Sequence, residues 1–505
     1  MSRCSHPPVV RIAAVGLVTF AAACSGPRVV TTPPPVPAPA ATPAPATRLD
    51  LTKPPTLGPP PSLRPPQIST RELPNGLKIV VLEQHELPLV DVMLQVRSGG
   101  ETDPAGRVGM ADLVAAMLTE GTANRTALQI ADQAAFLGIQ LNASSSWERS
   151  TIALHAPTAQ LDSALALFGD VALRPTFPAA DLERVRKVRL TALQQLRDRA
   201  PAIADRAFAS AVFGDHPYGR PLAGTEGSVA SITREDVQRF YTTYYRPNNA
   251  TLLVVGDVRP DDVERRAREL FGAWARGTVP MAPNAAQPRP KGTRVVIVDK
   301  PGAEQTSFRL GGIGAPRTTS DYFPLQVMNT ILGGSYTSRL NANLRETKGY
   351  TYGASSGFGL RRSAGPFIAS AEIVTAKTDS ALIEFLKELR AIRDTVPADE
   401  LAKAKRYLQL GLPSSLETTQ GIAQEFLPLI AYGIPLDFHA SAVQRYGAVT
   451  QADVQRVARQ YVDPDRLTIV LVGDRKVIEP GIRALNPGEI ITRDIRDVLG
   501  APATP

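Results

Sequence analysis

The pattern Thr-x-x-Asp-Val-Gln-Arg occurs twice, at Thr233 to Arg239 and at Thr450 to Arg456. Each copy is followed by Tyr-x-x-Pro (Tyr244 to Pro247, Tyr461 to Pro464) and an apolar run closing on Gly-Asp (Gly256-Asp257, Gly473-Asp474), all at one offset of 217 residues. So long a match in one register marks an internal duplication and requires two homologous folded units. A chain of 505 residues has room for them, since one core serves about 150 residues. Between the copies, 277–292 (GTVPMAPNAAQPRPKG) is Pro-rich and aperiodic, as a linker is. It leaves a first unit at 67–276, a second at 293–490 and a tail at 491–505.

Within the first unit, Leu77 to Glu83 reads as a strand entered through an Asn75-Gly76 turn, and Leu89 to Val96 as a second strand beside it. Val108 to Leu118, Leu128 to Leu137 and, apart from Pro201, Asp181 to Phe213 carry helical spacing. Strands followed by runs of helices predict an α+β fold, a mostly antiparallel sheet covered by helices in each unit.

Residues 1–24 read as an export signal, with Arg3 and Arg11 ahead of the apolar run Ile12 to Ala23, too short to span a bilayer comfortably. Ala21-Ala22-Ala23-Cys24 resembles a bacterial lipobox, which would leave Cys24 acylated, and ordinary cleavage at Ala21-x-Ala23 is the alternative. Cys24 would otherwise be the lone thiol of an exported chain, which favours lipidation. From 25 to 66 the chain is mostly Pro, Ala and Thr, a stiff tether unable to bury a core. These features predict a lipid-anchored envelope protein facing the periplasm, with Ser25 after the cysteine favouring the outer over the inner membrane. The net charge of +8 is interleaved with acids and forms no basic stripe, so no nucleic-acid partner is expected.

Three stretches carry a family resemblance: Leu73-Pro-Asn75-Gly76, Gly109-Met-Ala111-Asp112-Leu-Val-Ala115-Ala116-Met117-Leu118, and Gly333-Gly334-Ser335-Tyr336-Thr337-Ser338-Arg339-Leu340 leading into Leu344-Arg345-Glu346-x-x-Gly349-Tyr350-Thr351-Tyr352. The chain from about residue 70 to 480 resembles the insulinase/pitrilysin-type metallopeptidases, and is similar to the non-catalytic, alpha-type subunit of the processing peptidases. Active members carry His-x-x-Glu-His on one helix face, two zinc ligands and a general base, with a further glutamate on a later helix. The matching positions here are Asp112, Ala115 and Ala116, and the later glutamate falls at Thr191 or its neighbour Ala192. His85, His155, His216 and His439 offer no chelating pair, and Asp112 and Glu120 stand too far apart along a helix to share an ion. The resemblance therefore implies a degenerate zinc site, no cofactor in this chain, and zinc only in a partner.

The same resemblance implies a substrate-binding role for Arg345 and Tyr352, which match an Arg and a Tyr that face the zinc across the chamber and bond the peptide. The structural alternative is that Arg345 caps a helix C-terminus and Tyr352 fills a half-buried strand position. Asn142 and Ala143 match an edge strand that pairs with extended peptides. Gly333-Gly334 resembles a substrate-facing glycine loop, or is a plain tight turn. His216 is expected to serve a turn. Family members close a chamber with four such domains, so a two-domain chain is expected to form a heterodimer with a zinc-bearing homologue and to act on peptide substrates. The alternative is a non-proteolytic scaffold or peptide-binding protein.

Overall fold

A computed structural model describes Thr52, Gly58 and residues 66–282, 285–288 and 292–500. The expected signal, its Cys24 and nearly all of the tether lie outside these residues. No helix among them is long and apolar enough to cross a membrane.

The duplicated motif is a helix start. Thr233 Oγ1 accepts the Asp236 N–H at 3.2 Å while the Asp236 carboxylate accepts the Thr233 N–H at 3.2 Å, a reciprocal cap that opens helix Arg234–Tyr244. Thr450 and Asp453 repeat it at 3.1 and 3.0 Å before helix Gln451–Tyr461. Each pair satisfies N–H groups that a helix start otherwise leaves orphaned. The Tyr-x-x-Pro segments end these helices and turn the chain into a central strand.

The first unit contains β1 (Ile68–Glu72), β2 (Lys78–Glu83), β3 (Leu89–Val96), β4 (Gln140–Ser145), β5 (Ser150–Pro157) and β6 (Ala250–Gly256), in the order β1-β2-β6-β3-β5-β4. The second contains β7 (Arg294–Asp299), β8 (Gln305–Ile313), β9 (Thr351–Phe358), β10 (Pro366–Val374), β11 (Thr468–Gly473) and β12 (Glu489–Asp494), in the order β12-β7-β11-β8-β10-β9. The five strands from β2 to β4 in the first order and from β7 to β9 in the second correspond one to one, so the sheets are copies. Pairing is antiparallel except for β2 with β6, β7 with β11 and β7 with β12, as an α+β fold with mixed sheets allows.

Two expectations need correction. Leu77 to Glu83 and Leu89 to Val96 are not neighbours, because β6 lies between them, parallel to the first and antiparallel to the second. The reason is burial: every residue of β6 is buried, and only a central position hides both its faces. Nor do residues 491–500 trail as a tail. β12 pairs with β7, and helix Ile495–Leu499 buries Leu499 against the first unit's helix Ala200–Phe213.

The two faces of each sheet have different owners. Ile79, Val81, Val92, Leu94 and Val254 pack on the first unit's own helices. The opposite face, Val80, Leu82, Met93, Leu253 and Val255, is closed by Ile422, Phe426 and Leu429 of helix Thr419–Tyr432 from the second unit. Reciprocally, Val296, Val298, Val470 and Val472 are closed by Ile203, Phe208 and Phe213 of helix Ala200–Phe213 from the first. The units thus exchange one helix each across a pseudo-twofold seam. Polar bonds reinforce it at the hairpin tips: the Glu148 carboxylate accepts from the Tyr218 hydroxyl, from the Tyr432 hydroxyl at 2.6 Å and from the Arg362 N–H at 2.8 Å. Arg361 lies over the Trp147 ring, 3.6 Å from its centroid.

Candidate functional site

Helix Met110–Met117 begins where the Asp103 carboxylate accepts the Gly109 and Ala111 N–H groups at 2.7 and 2.8 Å. Burial pushes the Asp103 carboxyl up to about 7. Gly109 has φ 94° and its Cα lies against Gly224, where an added Cβ would stand 2.8 Å from the Gly224 backbone. On this helix Asp112 and Ala116 face helix Ala179–Gln195, and Ala115 is buried.

Between the two helices runs a groove of about 540 Å³, lined by Asp112, Ala116 and Glu120 on one side and Arg184, Val188, Arg189 and Ala192 on the other. Two ion pairs bridge it, Arg189 to Asp112 and Arg184 to Glu120. Of the two positions for the later glutamate, Ala192 lines the groove and Thr191 is exposed beside it. These residues do not fit a zinc ion. Asp112 is the only donor at the three motif positions and is engaged by a guanidinium, the alanines carry none, and Arg184 and Arg189 place positive charge where a cation would sit. Among the described residues, no three His, Cys, Asp or Glu side chains form a group that could hold a metal.

The second unit is different. Arg345 sits in a turn of π-helix, Ala342–Thr347, a departure from α-helix often found at functional positions. The Lys348 N–H donates to the Asn343 carbonyl and the Gly349 N–H to the Arg345 carbonyl, and Gly349, at φ 64°, turns the chain into β9. Tyr352, at the start of β9, is 91% exposed and so does not fill a half-buried position. Arg345 keeps 34% of its side chain exposed, its guanidinium 4.7 Å from the Tyr336 ring centroid and its Nε 3.6 Å from Glu346.

β4 and β9 are the outer strands of their sheets, and their free edges differ. On β9 the Ala354 N–H donates to Asn341 Oδ1 at 3.2 Å and the Ser356 N–H to the Gly333 carbonyl at 3.0 Å. A Cβ at Gly333 would come within 2.3 Å of the Ser356 nitrogen, so a glycine lets the loop cover this edge, while Gly334 beside it is exposed. On β4, which carries Asn142 and Ala143, no backbone bond from outside β5 is made among the described residues. His216 serves its turn, accepting the Tyr218 N–H at 3.1 Å, with burial lowering its pKa.

Sequence reasoning missed Arg184, Arg189 and Tyr336. Charges on an exposed helix face read as solvated, and nothing in the spacing links residues 112 and 189. Tyr336 stood inside a recognisable motif, but its contact with Arg345 depends on how the loop folds back.

Two copies of one sheet-and-helix unit, with an inverted-motif helix stripped of its metal donors, define a peptidase-like protein without a peptidase's metal site. Residues 78–226 match the family model described as Insulinase (Peptidase family M16), and residues 231–408 match Peptidase M16 inactive domain. An uncharacterized zinc protease of Mycobacterium tuberculosis is 32% identical over 350 residues, 68% of this chain and 79% of that protein. A non-peptidase homolog of Helicobacter pylori is 23% identical over 80% of this chain and 93% of its own. The crystal structure of a peptidase M16 inactive domain from Pseudomonas fluorescens superposes with a TM-score of 0.76 at 26% identity, over 80% of this chain and 98% of that one. The chain belongs to the M16, insulinase family, and the inactive-domain match together with its alanines at the motif positions describes a catalytically silent member.

Proposed function

We propose that this chain is the silent subunit of a two-subunit peptidase of the cell envelope: a zinc-bearing M16 homologue holds the metal, and this chain completes the peptide-binding chamber with Arg345 and Tyr352. The observation that carries the reading is the contrast between the units. The first has filled its zinc position with ion pairs, while the second keeps a guanidinium and a hydroxyl at the surface, Tyr352 being 91% exposed. Zinc in the partner would supply activated water by lowering its pKa toward about 7. Arg345 offers permanently charged donors and Tyr352 one hydroxyl donor, which suit a carbonyl oxygen that is gaining charge. The open edge of β4 supports a second reading, a scaffold that binds extended peptides without cleaving them.

The test combines the purified chain with the zinc-bearing homologue of the same genome. Alone, the chain should hold no stoichiometric zinc and cleave no peptide; together, the two should elute as a heterodimer and cleave. Chelator-sensitive hydrolysis by this chain alone would overturn the reading. A homologue whose rate does not depend on this chain would leave the scaffold.

The anchor belongs to the same proposal. Acyl chains on Cys24, each buried CH₂ contributing about 0.8 kcal/mol, would hold the protein at a membrane, the outer one by the residue after the cysteine. Cys24→Ser should shift the protein to the soluble envelope fraction with its melting temperature unchanged. An unmodified mature N-terminus at another residue would refute acylation.

A further inference from the structure

Tyr336 is 66% exposed and fills no core. Its contacts are instead with the residue argued above to meet the peptide. The Arg345 guanidinium lies 4.7 Å from the ring centroid, and the Tyr336 hydroxyl donates to Glu346 Oε1 at 3.4 Å. That same carboxylate oxygen stands 3.6 Å from Arg345 Nε. Ring, carboxylate and guanidinium therefore form a closed set of three.

The backbone beneath the set is fixed. Asn341, only 5% exposed, donates to the Tyr336 carbonyl at 2.7 Å and accepts the Ala354 N–H of β9 at 3.2 Å. Gly333 accepts the Ser356 N–H of the same strand at 3.0 Å. The loop that carries Tyr336 is thus fastened at two points to the strand that carries Tyr352.

We propose that Tyr336 is a positioning residue for Arg345: its ring is a platform on which the guanidinium lies, held in one plane with its outer donors turned to bound peptide. The physical need is plain, since an exposed arginine otherwise spreads over many rotamers and must be ordered each time a substrate binds. A stacked aromatic face does that ordering beforehand, and Glu346 fixes the in-plane rotation. The inference rests on the reading of Arg345 as a substrate-facing group.

The test compares Arg345→Ala, Tyr336→Leu, Tyr336→Phe and the double variant Tyr336→Leu/Arg345→Ala in the complex with the zinc-bearing homologue. Tyr336→Leu should lower kcat/KM about two- to fivefold, the loss of one exposed cation–ring contact, with melting temperature near wild type. Tyr336→Phe keeps the platform and should retain most of the rate. The double variant should be no slower than Arg345→Ala. A Tyr336→Leu enzyme at the wild-type rate in a pair that Arg345→Ala does impair would overturn the inference and leave the reading of Arg345 intact, and so would additive losses in the double variant. If Arg345→Ala is silent, the reading of the site falls, and the contact itself is judged on the chain alone by NMR. There the ring-current shift of the Arg345 side-chain signals should vanish in Tyr336→Leu, and a spectrum unchanged at Arg345 would overturn the platform as well.

Discussion

In a complex with a zinc-bearing homologue, Arg345→Ala is expected to lower kcat/KM by roughly ten- to 150-fold while assembly and melting temperature stay as they are. A charge-assisted hydrogen bond to a carbonyl that is gaining charge is worth about 1.5–3 kcal/mol, which converts to that range. The folded chain has little to lose. Arg345 meets Glu346 at 3.6 Å and the Tyr336 ring, both on the surface, and exposed ion pairs contribute about 0–1 kcal/mol. Tyr352→Phe should cost less than Arg345→Ala, because it removes one neutral donor. Stable, assembled variants that cleave at the wild-type rate would remove this subunit from catalysis and favour a scaffold.

Phe426→Ala should destabilise the chain by about 3–5 kcal/mol, the usual loss when a buried aromatic ring leaves a cavity. Phe426 is fully buried and belongs to the second unit by sequence, yet it packs on Val80, Leu82, Met93, Leu253 and Val255 of the first unit's sheet. Of the two tryptophans, Trp274 packs against the first unit's own core, and Trp147 belongs to the same unit but lies at the seam under Arg361. Their fluorescence in Phe426→Ala should melt together with the far-ultraviolet signal of the whole chain, both shifted down by the same amount. A tryptophan transition left at the wild-type temperature would show that the units unfold independently and that the exchanged helix adds little.

Much of the fold was legible because local chemistry and global architecture agree. The repeated Thr-x-x-Asp is a helix cap in both units, and the strand Ala250–Gly256 is as apolar as its burial on two faces demands. Which element covers each face was not legible. Periodicity reports that a residue is buried and is silent on its partner, so helices Ala200–Phe213 and Thr419–Tyr432 could be placed but not docked. β12 escaped for a related reason: Glu489-Ile490-Ile491-Thr492-Arg493-Asp494 is polar at both ends and becomes a strand only by pairing with the distant β7. At the site, Asp112, Ala115, Ala116, Arg345 and Tyr352 were singled out only through the family resemblance of the motifs that hold them. The ion pairs that occupy the groove and the loop that covers β9 join residues far apart in sequence, and no local pattern encodes them.

The exchanged helices also bear on why the first unit is still there. A unit without its metal donors would be dispensable if it stood alone, but here it lends the second unit the helix that keeps water from Val296, Val298, Val470 and Val472. Deleting it would strip that sheet on one face and turn a folded protein into an aggregating one. The chain can hold Asp112, Ala115 and Ala116 where a zinc motif would stand and still fold, whereas it cannot discard the helix that closes the second sheet. A nick in the linker should accordingly yield two fragments that stay together and refold only as a pair.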